Sequence, residues 1–139
     1  MTALDAHHVG ITVDDLEETL PFYRDALGFE VLDRFSVEGE AFADAVGVDG
    51  AGADFVHLDA NGVRLELVEY DPEADPRPTP ELNEPGATHV GLAVGDLEAF
   101  YADLPEDVPT ISEPRTTASG TSICFLRDPE GNLVEVLET

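Results

Sequence analysis

From His7 to Val13 the chain alternates, with Val9, Ile11 and Val13 on one side and His8, Gly10 and Thr12 on the other. Alternation at period two with β-branched residues predicts a strand. The period then lengthens. Leu16, Leu20, Tyr23 and Leu27 recur at helical spacing behind Asp14 or Asp15, either of which can cap a helix, and Gly28 supplies the stop. Pro21 bends this helix or starts its main body. Strand alternation returns over Phe29–Val37 and a short helix is predicted over Glu40–Val46. Ala53–Leu58 and Val63–Tyr70 then make a hairpin around Asp59-Ala-Asn-Gly62.

The same order of elements comes round again. HVGITVDDLE at residues 8–17 is matched by HVGLAVGDLE at 89–98, with seven of the ten positions identical. The stretch from Asp59 to Glu69 is echoed from Asp128 to Glu138. The second half therefore predicts a strand over Thr88–Val94, a helix over Asp96–Leu104 ended by Pro105, and less regular strand material over Pro109–Thr117. A hairpin of Thr121–Arg127 and Leu133–Leu137 around Asp128-Pro-Glu-Gly131 closes it. The expected fold class is α+β, built from two tandem βαβββ modules. The whole of 1–139 is expected to form one domain, with module one at 1–70, a linker at 71–87 and module two at 88–139. The linker holds five of the ten prolines and five acidic residues, and reads as a solvated connector or a loop over a site.

Strand parity singles out four side chains. Each motif histidine, His8 and His89, sits on the face opposite its strand's aliphatic residues and beside a glycine. The closing strands obey the same rule: Glu66 lies between Leu65 and Leu67, and Glu135 between Val134 and Val136. A carboxylate on an otherwise apolar strand must be paired, metal-bound or exposed. Two imidazoles and two carboxylates at equivalent positions of a duplication suit one divalent ion such as Ni, Zn, Co, Mn or Fe. His7 and His57 align with Thr88 and Leu126 in the second half, so they read as structural and receive no role. Cys124, the single cysteine, lies in the apolar run Ile123–Leu126 and reads as a buried thiol with no disulfide partner.

HVGITVDDLE with FYRDALGFEV, then GVRLELVE, THVGLAVGDLE and FLRDPEGNLVEVLE, resemble the vicinal-oxygen-chelate superfamily, and the match spans nearly the whole chain. That superfamily includes glyoxalase I, methylmalonyl-CoA epimerase, fosfomycin-resistance proteins and extradiol dioxygenases. The resemblance implies that the two modules form a cupped mixed sheet with helices on the outer face and a metal in the cup. By motif position its ligands fall on His8, Glu66, His89 and Glu135. It implies a metal-dependent, glyoxalase-like lyase or isomerase. Here the metal acts as a Lewis acid on a chelated substrate, and Glu135 or Glu66 carries a proton next to a carbonyl. A ring-cleaving dioxygenase and a non-catalytic small-molecule-binding or resistance protein are the alternatives. The dioxygenase pattern leaves open the position that Glu66 fills. Thr12 and Tyr70 stand where glyoxalase I enzymes typically carry an arginine and an asparagine, which counts against a glutathione conjugate. Arg64, Tyr70 and Arg77 are the candidate substrate contacts.

Composition sets the surroundings. Thirty-one acidic residues face six arginines and no lysine, for a formal net charge of −25. With 42% hydrophobic residues the reading is a packed core inside an acidic shell of the kind found in halophilic proteins. Nucleic acid and anionic membrane are unsuited to it as partners. No apolar run reaches the length of a membrane span and no signal-peptide pattern is present, so the expected location is cytoplasmic. The expected partner is a small-molecule substrate, and the expected assembly, on the resemblance, is a homodimer. Self-repulsion predicts that the thermal midpoint climbs as KCl is raised from dilute to molar, where the screening length shrinks to about 3 Å. Calorimetry across a salt series checks this, and a flat dependence refutes it.

Overall fold

In a computed structural model that describes residues 2–139, β1 (Val9–Thr12) runs parallel to β4 (Arg64–Asp71), with Gly10 across from Glu66. β4 pairs antiparallel with β3 (Gly52–Asp59), and β3 pairs antiparallel with β2 (Glu30–Glu38), giving the order β1-β4-β3-β2. The second half repeats the plan. β5 (His89–Ala93) lies parallel to β8 (Leu133–Glu138), followed by β7 (Ser122–Arg127) and β6 (Arg115–Thr116). These are two four-stranded mixed sheets of tandem βαβββ modules, as the repeat predicted. One compact unit runs to Pro76 and the other from Arg77 to Thr139, so the division falls inside the proline-rich stretch. Among the described residues no helix is long and apolar enough to cross a membrane.

Parity decides which face each sheet buries. Leu65 and Leu67 of β4 and Leu58 and Val56 of β3 are fully buried, together with Leu16 and Leu20 of α1 (Leu16–Pro21), which packs on β4. Each such leucine contributes roughly 1.5–3 kcal/mol relative to an exposed one. The helix predicted to reach Leu27 is present in two pieces. Pro21 has no N–H to close a helical bond, and beyond it the turns widen: over Phe22–Ala26 the chain is π-helical, and Leu27 N–H bonds the Phe22 carbonyl at 3.0 Å. The widening turns the consecutive aromatics Phe22 and Tyr23 both inward.

The other half's helix, α3 (Leu97–Ala102), matches α1 in length without the π-helical continuation and buries Leu97. Strand material before β7 shrinks to Arg115–Thr116 plus a lone bridge from Thr110 to Leu126. Pro109 and Pro114 lack the N–H groups a ladder needs. α2 (Glu40–Val46) belongs to the first unit alone and lays Phe42 against Phe55 and Tyr70, on the face of the sheet that carries Glu66. Cys124 is buried, its Sγ–H reaching the Ser112 carbonyl at 3.4 Å, and burial pushes its pKa up.

The repeated acidic residues have structural work of their own. Asp15 accepts from the Glu18 N–H at 3.1 Å and Asp96 from the Ala99 N–H at 3.0 Å, each capping its helix. A second carboxylate reaches each helix from the closing strand: Glu69 Oε1 accepts from the Leu16 N–H and Glu138 Oε1 from the Leu97 N–H, both at 2.8 Å. Asp59 and Asp128 likewise fold the two hairpin turns by accepting from the Asn61 and Glu130 N–H groups. Acidic side chains also crowd one another. A hydrogen bond that the exposed Glu73 carboxyl donates to Asp14, and then the Asp14 charge, hold Glu73 above its ordinary range.

Because each of these ties satisfies a helix N–H that has no partner within the helix, Glu69→Ala and Glu138→Ala should each cost about 1–2 kcal/mol. Denaturant midpoints in molar KCl measure it, and an unchanged midpoint for both variants shows the ties to be idle.

Candidate functional site

In the first unit the parallel ladder sets Gly10 directly beside Glu66, and His8 precedes the strand by one residue on the same face. His8 Nε2 faces Glu66 Oε2 at 3.5 Å. In the second unit Gly91 lies beside Glu135, and His89 Nε2 faces Glu135 Oε1 at 3.4 Å. The imidazoles are more than a third exposed, at 37% and 40%, while the carboxylates are shielded, at 13% and 20%. Each of the two compact units thus presents one histidine–glutamate pair, in nearly the same geometry. The space beside each carboxylate does not require a glycine. A Cβ added at Gly10 would lie 3.5 Å from Glu66 Oε1, and one at Gly91 3.6 Å from Glu135 Oε1, both ordinary contacts.

Two histidines that the sequence left without a role adjoin the first pair. His57 sits across the antiparallel ladder from Glu66, is buried, and places its Nε2 2.8 Å from Glu66 Oε2. His7 Nδ1 lies 2.8 Å from His8 Nδ1, a hydrogen bond that fixes the His8 ring and leaves Nε2 toward Glu66. Alignment by repeat matched His57 to Leu126, whereas the ladders give Phe125 as its counterpart, since Phe125 pairs with Glu135. The available signal was the turn. Counting outward from the Ala60 to Val63 bond puts His57 opposite Glu66.

The remaining candidates are dispersed. Arg64 opens β4, exposed, on the Glu66 face and two residues away. Tyr70 is four residues from Glu66 on that face and half-buried, its ring stacked on Phe42 at 6.2 Å. Arg77 is exposed and begins the second unit. An open depression of about 590 Å³ in the first unit is lined by Glu38, Glu40, Asp44, Asp49 and Asp71 and includes none of the candidates.

Imidazole nitrogens facing shielded carboxylate oxygens are a donor set suited to a borderline divalent ion. Each unit supplies two such donors, and among the described residues no group of three or more His, Cys, Asp or Glu side chains is arranged around one metal position.

A model of the glyoxalase/bleomycin resistance protein/dioxygenase superfamily matches residues 5–136. The chain belongs to this superfamily. As a superfamily member it is 26% identical over 124 residues to a 2-epi-5-epi-valiolone epimerase from an Actinomyces species, covering 85% of this chain and 68% of that one. A glyoxalase family protein from Bacillus cereus shares the fold with a TM-score of 0.86 at 22% identity, covering 99% of this chain and 95% of that one. The trypanothione-dependent glyoxalase I of Leishmania major does so at 0.64 and 24% identity, over 98% and 87% of the two chains.

For this superfamily member the ordinary spacing beside Glu66 implies that Gly10→Ala folds with stability unchanged or raised by up to about 1 kcal/mol, because alanine restricts the unfolded chain. A loss above that size in a denaturant titration would show the position to be tighter than its geometry.

Proposed function

We propose that this protein is a metal-dependent, glyoxalase-like lyase or isomerase that moves a proton next to the carbonyl of a small substrate. The observation carrying the proposal is the equivalence of the two pairs, His8–Glu66 and His89–Glu135, across the duplication. A single histidine on a strand is an unremarkable core or surface residue. Two, each facing a shielded carboxylate at 3.4–3.5 Å, need a common cause, and divalent metal binding is one.

In this reading His8, Glu66, His89 and Glu135 are the donors to Ni, Zn, Co, Mn or Fe. A bound divalent metal supplies Lewis-acid polarisation of the substrate carbonyl. The chain's own residues do the rest. A carboxylate oxygen of Glu135 or Glu66 takes the proton from the carbon beside the carbonyl. It then returns the proton either to the neighbouring carbon, giving a lyase or isomerase outcome, or to the opposite face of the same carbon, giving epimerisation. The relative named an epimerase supports the second outcome. Arg64, Tyr70 and Arg77 are the groups proposed to meet the rest of the substrate, and the absence of arginine at Thr12 argues against a thiol-tripeptide conjugate.

The test uses protein purified in molar KCl and loaded with each metal in turn. Methylglyoxal with several thiols, and acyl-CoA epimerisation, are followed by deuterium uptake from solvent at the carbon beside the carbonyl. The expected result is metal-dependent exchange with at least one substrate, lowered about 10²- to 10⁴-fold by Glu135→Gln. His8→Ala and His89→Ala should each lose metal in equilibrium dialysis. Oxygen consumption with catechols and no proton exchange would replace this reading with the dioxygenase one. Failure to bind any of the metals would leave a small-molecule-binding protein.

A further inference from the structure

The two pairs are alike in themselves and unlike in their neighbours. Glu66 and Glu135 each have a cross-strand partner on the adjacent antiparallel strand, and those partners are His57 and Phe125. His57 Nε2 is 2.8 Å from Glu66 Oε2, closer than the 3.5 Å from that oxygen to His8 Nε2. A carboxylate oxygen can only accept, so the short contact is an N–H of His57 donating to Glu66. The His57 ring is itself held: it is buried, meets Phe35 edge-on at 5.1 Å and lies 5.8 Å from the His8 ring. Phe125 occupies the corresponding place in the second unit and meets His89 edge-on at 5.3 Å. A phenyl ring has no donor for a carboxylate, so Glu135 lacks the bond that Glu66 has.

We propose that His57 is a positioning residue that fixes the Glu66 carboxylate as a donor. The inference rests on reading the pairs as metal donors. One carboxylate oxygen held from behind by a buried imidazole keeps the other oriented toward Gly10 and the open face. Turning Glu66 away would strand the His57 N–H in a buried site.

The experiment compares His57→Phe, which installs the second unit's ring, with His57→Gln, whose amide keeps a donor. Ni²⁺ affinity is read by equilibrium dialysis in molar KCl on variants whose circular dichroism and melting show them folded. His57→Phe is expected to weaken Ni²⁺ binding about 10- to 100-fold and His57→Gln to recover most of it. In a Glu66→Ala background, adding His57→Phe should change affinity no further, a coupling that a purely structural role would not produce. Equal affinity of wild type and His57→Phe overturns the positioning role. A second readout needs no metal: the His57 Nε2–H proton resonance of the metal-free protein should be present in wild type and lost in Glu66→Ala. Its absence from wild type overturns the inference, whereas its presence in a protein that binds no Ni²⁺ refutes the metal reading and leaves the His57–Glu66 tie standing.

Discussion

The in-register parallel pairing of a unit's first strand with its last is the constraint on which the candidate site depends. Parallel strands cannot be joined by a tight turn, so a long crossover must intervene. In each unit that crossover carries the helix and the antiparallel strands. The pairing puts Gly10 beside Glu66 and Gly91 beside Glu135, and with them a histidine at the strand's start. A slip of one residue would send Glu66 into the face filled by Leu58, Leu65 and Val56, where an unpaired carboxylate is strongly unfavourable. The register is thus enforced by the core on one face, and the histidine–glutamate pair on the other face inherits it. The ties from Glu69 and Glu138 to the helix starts hold the same strand pair from its far end.

Much of this was legible in the amino-acid sequence because its signals were periodic and said twice. Alternation separated His8 from Val9 and Glu66 from Leu65, and the repeat separated meaningful positions from incidental ones. What escaped was whatever depended on one unit alone or on exact register. His57 has no histidine counterpart in the second half, so a reading built on duplication discounted it, although the turn at Ala60–Val63 sets it opposite Glu66. His7 is a similar case. The helix through Pro21 was placed correctly at its start, by Asp15 and Leu16, and differently at its end. A missing N–H there is resolved by a wider turn, which hydrophobic spacing does not reveal. Glu69 and Glu138 were visible as an echo, but their purpose as helix ties needed the backbone.

The acidic surface and the candidate site follow different rules. A net charge of −25 raises the local concentration of any cation in dilute salt. At molar salt that field is screened within about 3 Å. Selectivity for a particular ion must then come from direct contacts at that scale, such as an imidazole nitrogen beside a shielded carboxylate. The two half-exposed histidines are therefore more informative about chemistry than the thirty-one acids around them.

Fusion of two units in one chain has a consequence for symmetry. In a homodimer of single units related by a two-fold axis, both carboxylates must have identical neighbours, because one gene specifies both. Tandem duplication lifts that identity, since each copy then mutates on its own. This chain has used the freedom: an imidazole stands behind one glutamate and a phenyl ring behind the other.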